Sequence, residues 1–223
     1  TDLTRKEAEV ILRRMDNVLE QLPEARRQAH ERIIGERQVD NRDKILSLYE
    51  SDVHVIVRGK AGANVEFGNS LFLAENAEGF IIDHELKRER SPGDAKWLQQ
   101  RYVGMKEESG GQLCGVVADR GFESLSTVIM LEKEEAYNGI CPKNPRELAR
   151  RMKEDEVFQG AVSRRGQTEG RVGILKNVFL GGTPLAKGFE NRQLQVAWAV
   201  LSHNLWLLAR QPWACDQQAA KAA

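Results

Sequence analysis

The sequence predicts a mixed α/β fold in which helices flank a small sheet. Three observations support this prediction. Apolar residues recur at helical spacing over the first 43 residues, short apolar runs typical of strands fill most of the stretch from Lys44 to residue 86, and helical patterns return between residues 91 and 210. A chain of 223 residues is long enough to bury one sizeable core.

The N-terminal segment is predicted to be helical and highly charged. Thr4 and Glu7 have the spacing of a capping box, and apolar residues follow at helical intervals. Pro23 is expected to interrupt this helix, because proline lacks the N–H that an interior position needs, and a second charged helix is expected over 24–34. We therefore expect residues 1–43 to form a helical segment with a thin apolar stripe. Such a segment forms a solvated hairpin more often than a specific binding surface.

Strands are predicted in the next part of the chain. The runs at 53–57, 65–74 and 79–86 are separated by glycine-rich or polar turns, as expected of an antiparallel meander. The nearly continuous apolar run over 112–118 is typical of a buried central strand. A further short strand is expected at 139–142.

Helices are predicted between and after the later strands. They are expected from 91–94 to about residue 106, over 124–131, over a basic stretch that begins at Asn144, over 160–178 and over 191–210. Residues 213–223 are expected to be a flexible tail.

The composition narrows the chemistry that the chain can perform. Its 33 basic and 33 acidic residues give a net charge of zero, so no global basic field indicates nucleic acid, although 146–176 is locally rich in Arg and Lys. The three cysteines and four histidines are scattered without the spacing of a zinc site. A metal would therefore be held by carboxylate oxygens, which favours Mg²⁺ or Mn²⁺.

The sequence also favours a cytoplasmic protein. No apolar run reaches the roughly 20 residues of a membrane helix, and no signal peptide is visible. The odd number of cysteines suits a reducing compartment. The chain begins at Thr1, already inside a helical pattern, as expected of a fragment.

Two acidic residues are candidates for metal-dependent chemistry. Asp119 follows an apolar run, so its side chain would project from a strand end into a cleft. Arg165, Glu169 and Lys176 fall within about 40° of one another on a helix, which places a carboxylate between two cations. Simpler interpretations remain open, because Asp119 could cap the following turn and Arg165 could form only an intrahelical ion pair with Glu169.

Three glycines in the same predicted helix need a reason. A glycine inside a helix lowers the stability of that helix by roughly 1 kcal/mol relative to alanine, and this helix contains Gly166, Gly170 and Gly173. They are expected where another helix or a nucleic-acid backbone approaches closely.

These motifs resemble those of the DDE transposases of bacterial insertion sequences. The segment 116–122, which contains Asp119, is similar to the region of that family's second acidic residue. The spacing Arg165-(three)-Glu169-(six)-Lys176 is similar to the Tyr-(2)-Arg-(3)-Glu-(6)-Lys signature around its third acidic residue. The resemblance covers about 45–210 and includes early strands and the C-terminal helix.

The resemblance implies a fold, an activity and a set of site residues. The fold would be an RNase H-like mixed sheet flanked by helices over 44–212, lacking its first strand, with the segment 1–43 as an insertion or connector. Asp119 and Glu169 would be catalytic ligands of Mg²⁺ or Mn²⁺.

The resemblance also implies partners. Arg165 and Lys176, with Arg164 and Arg171 beside them, would bind DNA phosphates. The partners would be insertion-sequence terminal repeats and target DNA, bound by a homodimer in the bacterial cytoplasm at the nucleoid.

Two positions depart from the family pattern. Val162 stands where the signature has its tyrosine. The first acidic residue of the triad has no matching context, and the candidates Asp52 and Asp83 are more simply interpreted as surface or turn residues, with Asp83 at the end of its strand. The sequence therefore predicts a truncated transposase whose triad is incomplete.

Alternatives follow from this incompleteness. The chain could be a catalytically inactive DNA-binding remnant, an RNase H-like nuclease without strand transfer, or an unrelated α/β domain. A sheet without its first strand would expose an apolar edge, so we also expect the purified chain to associate.

Overall fold

A computed structural model describes residues 3–60, 63–182 and 186–211. The tail expected at 213–223 lies outside the described residues. The chain divides into two compact units, the first formed by residues in 1–71, 86–90 and 186–192 and the second by residues in 72–85, 91–185 and 193–223.

The described residues confirm a mixed α/β fold. In chain order, the elements are α1 (Arg5–Ile33), β1 (His54–Lys60), β2 (Ala63–Gly68), β3 (Leu71–Glu75), β4 (Ile81–Leu86), α2 (Asp94–Glu108), β5 (Gly115–Ala118), α3 (Leu125–Lys133), β6 (Tyr137–Ile140), α4 (Pro145–Glu154), α5 (Glu156–Ile174) and α6 (Phe189–Arg210). A 3₁₀ turn follows β5 at Arg120–Phe122, and a π-helical turn extends α5 over Leu175–Phe179.

The N-terminal segment is one helix, so the interruption expected at Pro23 is wrong. The predicted capping box is present: the Thr4 side chain accepts the Glu7 N–H, and the Glu7 carboxylate accepts the Thr4 N–H. Pro23 lies inside α1, which continues to Ile33. Pro23 cannot donate to the carbonyl of Leu19, but Leu19 is exposed and water can take that place. Good helix formers on both sides then carry the helix across the proline.

The strands pair two by two in the described part of the chain. β1 pairs antiparallel with β2, β3 pairs with β4, and β5 pairs in parallel with β6. The strand predicted over 65–74 is divided: Gly68 has a φ of 147°, and residues 69–70 belong to neither β2 nor β3. The predicted central strand over 112–118 is shorter than expected and only half-buried.

The core of the second unit forms around α2. Trp97, Leu98, Tyr102 and Met105 of this helix pack with Phe72 of β3, Leu131 of α3 and Ile140 of β6. The rings of Phe72 and Trp97 lie 5.7 Å apart between centroids. This cluster holds β5 and β6 against α2 and α3, and so fixes the strand ends from which the candidate site emerges.

The helices predicted after β5 are confirmed, with small shifts in their ends. Asn144 caps α4 by accepting the Arg146 N–H, with Pro145 at the first helical position. Asp155 caps α5 by accepting the Phe158 N–H at 2.8 Å, so this helix begins before the predicted residue 160. Among the described residues, no helix combines the length and apolar character needed to cross a bilayer.

Candidate functional site

Asp119 lies at the carboxyl end of β5, as the sequence predicts. β5 and β6 run parallel in register from Gly115 opposite Tyr137 to Ala118 opposite Ile140. Asp119 then caps the 3₁₀ turn, where its Oδ1 accepts the Arg120 N–H at 2.7 Å. The turn-capping interpretation is therefore correct, and it leaves the rest of the carboxylate facing solvent.

The helix α5 brings Arg165 and Glu169 to the same place. Phe158 and Ala161 are buried and anchor the helix by its inner side. Arg165, two turns after Phe158, lies on the same side and is half-buried. Its Nη1 is 3.4 Å from Asp119 Oδ1, and its Nη2 is 3.1 Å from Glu169 Oε1. The two predicted acidic residues thus meet at one guanidinium.

All three groups remain accessible to solvent. The exposed fractions of the side chains are 52% for Asp119, 67% for Glu169 and 32% for Arg165. Partial burial lowers the pKa of Arg165, but the hydrogen bond to Glu169 and the charge of Asp119 outweigh it and raise that pKa above its usual value. Exposed ion pairs contribute little to stability, about 0–1 kcal/mol. The cluster is therefore a charged surface whose pairs can be exchanged for ligand contacts at small cost.

Lys176 lies beyond the regular part of α5. It belongs to the π-helical turn, whose Leu180 N–H bonds to Leu175 O at 2.8 Å, an i to i+5 spacing. The spacing of 100° per residue that placed Lys176 beside Arg165 therefore does not extend through this turn. Lys176 is exposed, and none of the described residues forms an ion pair with it. Its ammonium group is available to a ligand.

Arg164 and Arg171 lie on another side of α5 and contact the β3–β4 hairpin. Arg164 donates to the carbonyl oxygen of Ala77. Arg171 Nη1 is 2.9 Å from Glu75 Oε1, and a side chain at Gly79 would collide with the Arg171 guanidinium. These two arginines hold the hairpin against α5, whereas Lys176 makes no such contact with the described residues.

Glu75 was missed by the sequence analysis. Its Oε1 accepts the Thr168 hydroxyl at 2.6 Å in addition to the Arg171 contact. The sequence offered one signal for Glu75: it is an acidic residue at the end of an apolar strand, and a helix with several basic residues occurs later in the sequence. That signal gives no hint of the partner, because Glu75 and α5 are far apart in the sequence.

The two candidates for a first acidic residue are both occupied by arginines. Within the first unit, Asp52 pairs with Arg192 and lies 3.7 Å from Arg88. Within the second unit, the Asp83 carboxylate accepts two hydrogen bonds from the Arg101 guanidinium. Nε donates to Oδ2 at 2.8 Å, and Nη2 donates to Oδ1. The expectation that Asp83 is a surface or turn residue at a strand end is wrong, since it is buried inside β4.

A third metal ligand is not apparent at Asp119 and Glu169. Among the described residues, no group of three or more His, Cys, Asp or Glu side chains is placed to hold a metal ion. The arrangement thus offers two carboxylates and one guanidinium.

The glycines of α5 face open space. A Cβ atom built at Gly166, Gly170 or Gly173 would have no neighbour within 4 Å among the described residues. Close packing of another helix from this part of the chain therefore does not explain them.

Comparison of the chain with protein-family models, with curated proteins and with solved structures finds no match.

Proposed function

We propose that this chain is the larger part of the catalytic domain of a DDE transposase from a bacterial insertion sequence. It would have an RNase H-like fold and bind terminal-repeat and target DNA as a homodimer at the bacterial nucleoid. The observation that carries the proposal is the meeting of Asp119 and Glu169 at Arg165. Two acidic residues that the resemblance assigns to the site, one at a strand end and one on a helix, therefore contact the same guanidinium.

The two carboxylates would be the protein ligands of a magnesium or manganese ion. Mg²⁺ keeps several waters and is commonly bound through one or two carboxylates together with substrate phosphates. Asp119 and Glu169 offer two such carboxylates on an exposed surface. The guanidinium of Arg165 contacts both of them, so a positive charge already lies beside each carboxylate. When bound, the ion would supply stabilisation of the charge that develops on the phosphodiester.

The cations of α5 would hold the DNA. Arg165 presents a planar fork of donors that suits a phosphate, and Lys176 presents an exposed ammonium group that pairs with none of the described residues. Because Arg165 contacts Asp119 and Glu169 only through weak exposed pairs, it can turn toward a phosphate when DNA and the metal arrive. These residues would then hold the phosphodiester in the orientation that the reaction needs and offset its negative charge.

An inactive DNA-binding remnant is the second candidate function. It is favoured by the ion pairs of Asp52 and Asp83, because each carboxylate is already committed to an arginine. With neither free, the cluster would lack the first acidic ligand and keep its phosphate contacts.

The test is nicking of supercoiled plasmid DNA in Mn²⁺ by the full chain and by Asp119→Asn and Glu169→Gln. Glu156→Gln is the matched control, since Glu156 is an exposed carboxylate on the same helix. The transposase proposal predicts nicking that both site variants abolish and the control retains. With a labelled linear DNA added as the donor of a 3′-hydroxyl, label joined to the plasmid would separate a transposase from an RNase H-like nuclease.

The other outcomes are equally decisive. Absence of nicking, with DNA binding that weakens steeply with salt and is lost on Arg165→Ala with Lys176→Ala, would assign the chain to the inactive remnant. Absence of both nicking and salt-sensitive binding would overturn the proposal and leave an unrelated α/β domain.

A further inference from the structure

The apolar residues of α1 follow a seven-residue repeat. They fall at intervals of three and four residues at Ala8, Ile11, Met15, Val18, Leu22, Ala25 and Ala29. This is the a and d pattern of a helix that packs along another helix. Leu12 and Leu19 occupy the e positions and widen the stripe. A repeat of 3.5 residues is that of helices that wrap around one another in a left-handed supercoil.

The chain's own contacts lie on a different side of α1. Asn17 donates to the carbonyl oxygen of Leu48 at 3.3 Å. Gln28 exchanges two hydrogen bonds with the backbone of Ile45, at 2.8 and 3.2 Å. Asn17 falls about 140° from the centre of the apolar stripe on a helical projection, whereas Gln28 occupies a g position at the edge of the stripe. Residues 45–48 therefore hold α1 by its polar side and its g edge, and leave Ile11, Leu12, Met15, Leu19 and Leu22 outward.

Most of the outward stripe is open to solvent, although Val18 and Ala25 at its edge are half-buried. Ile11, Leu12, Met15, Leu19 and Leu22 keep exposed fractions between 41% and 61%, and α1 has no buried residue. A helix gains most of its stability from packing of its apolar face. The helix α1 is thus built for a partner that the described part of the chain does not supply.

We propose that the apolar stripe of α1 is a self-association surface, on which α1 of a second copy of this chain packs antiparallel. In that arrangement Ile11 lies level with Leu22 of the partner subunit, and Met15 lies level with Val18 of the partner subunit. Each of these positions along the helix pair then brings two apolar side chains together. Because the contact is two-fold symmetric, both copies use the same surface and association stops at the dimer.

The e positions decide the orientation. In the antiparallel pair, Leu12 lies beside Leu19 of the partner subunit, and the g positions pair Arg14 with Gln21. In a parallel pair, Leu12 and Leu19 would instead lie beside Glu7 and Arg14 of the partner subunit. The parallel arrangement would leave both leucines against charged groups.

Charge at the ends is compatible with the antiparallel pair. It brings Arg5 level with Arg26 of the partner subunit, but Arg5 Nε already lies 3.1 Å from Glu9 Oε1 and is exposed. Like charges at an exposed helix end are screened and cost little.

The size of the contact suits a dimer. The exposed parts of the apolar side chains on the stripe amount to about 500 Å² per copy, or about 1,000 Å² in total, the level at which specific interfaces begin. The association does not depend on DNA or on the function of Asp119 and Glu169.

The test is the mass of the full chain in solution, measured by analytical ultracentrifugation without DNA. The expected mass is twice the 25.2 kDa of one chain. The variant carrying Leu12→Glu and Leu19→Glu should sediment as a monomer, with a dimer dissociation constant raised by about a hundredfold or more. Glutamate is a good helix former, so far-UV circular dichroism should be unchanged.

A matched control separates this surface from other apolar ones. Leu125→Glu changes a leucine of α3 that is 77% exposed and lies outside the stripe, and this variant should remain a dimer. A monomeric wild-type chain across the micromolar range would overturn the proposal. So would a Leu12→Glu, Leu19→Glu variant that still associates, because an exposed sheet edge or another surface would then be responsible.

The orientation is tested by the distance between spin labels at Lys6→Cys, in a Cys114→Ser and Cys215→Ser background. The antiparallel pair places the two labels about 32 Å apart along the axis, from 21 residues at 1.5 Å each. A parallel pair would bring them within about 20 Å of each other, since paired helix axes lie only about 8–10 Å apart, and would refute the proposed arrangement.

Discussion

The pairing of Asp83 with Arg101 predicts a large loss of stability when the charge of Asp83 is removed. The Asp83 side chain is only 6% exposed, and its two oxygens accept bonds from two nitrogens of the guanidinium. The hydrogen bond with Asp83 also raises the pKa of Arg101. Breaking a buried ion pair on one side costs about 3–5 kcal/mol, because the remaining charge loses its partner.

The expected magnitude is smaller than that range for Asp83→Asn. The Arg101 side chain is 33% exposed, so water partly replaces the lost carboxylate, and the asparagine oxygen can still accept one hydrogen bond. We expect the free energy of unfolding to fall by about 2–3 kcal/mol. Arg101→Met should cost more than Asp83→Asn, because it leaves the more deeply buried charge unpaired.

Urea unfolding followed by far-UV circular dichroism measures both variants and their double variant. A coupling energy of about 2 kcal/mol is expected from the double-mutant cycle. Glu107→Gln, an exposed change on the same helix, should stay within about 0.5 kcal/mol of wild type. A loss below about 0.5 kcal/mol for Asp83→Asn would refute the structural role of the pair. It would return Asp83 to the list of candidate metal ligands.

Three further predictions concern Tyr102, Tyr137 and Asp155. The Tyr102 hydroxyl is buried without a hydrogen-bond partner among the described residues, so Tyr102→Phe should raise the free energy of unfolding by about 1 kcal/mol. Burial also raises the pKa of Tyr102, because the phenolate would lose its water in the core. Ionisation of Tyr102 therefore leaves stability unchanged below the unfolded pKa, about 10, and lowers it at higher pH, so Tyr102→Phe should weaken the alkaline loss of stability. Tyr137 donates to Asp155 Oδ2 at 3.0 Å, and Tyr137→Phe should lower the free energy of unfolding by about 1 kcal/mol, whereas an unchanged value would show that this bond contributes nothing. The Phe158 N–H, with Tyr137 and Arg151, holds the pKa of Asp155 below its usual value; its contribution is present above the unfolded pKa and lost as pH falls, so Asp155→Asn should flatten the acid limb of urea stability measured against pH.

The sequence predicted the helix that carries Glu169 and the strand end that carries Asp119, because both follow from local periodicity and from turn chemistry. Their meeting at Arg165 was not predictable from spacing. Arg165 was interpreted through its neighbour in the helix, and its contact with Asp119 depends on how α5 packs beside β5 and β6.

Other failures have equally local causes. The continuation of α1 through Pro23 was missed, because the propensity of one residue was weighted above that of the helix formers on both sides. The break at Gly68 was missed, because the apolar pattern continues across it while the backbone does not. The burial of Asp83 depends on Arg101, which reaches it from a different element.

The measurement that tests the central claim most directly is cleavage of the chain by bound iron. Fe²⁺ replaces Mg²⁺ at carboxylate sites, and with ascorbate and peroxide it cuts the backbone next to where it is held. If Asp119 and Glu169 share one metal ion, the wild-type chain should be cut near both residues. Excess Mg²⁺ and Glu169→Gln should each suppress both cuts together. Cutting near only one residue, or cuts at both that persist in Glu169→Gln, would contradict a shared site.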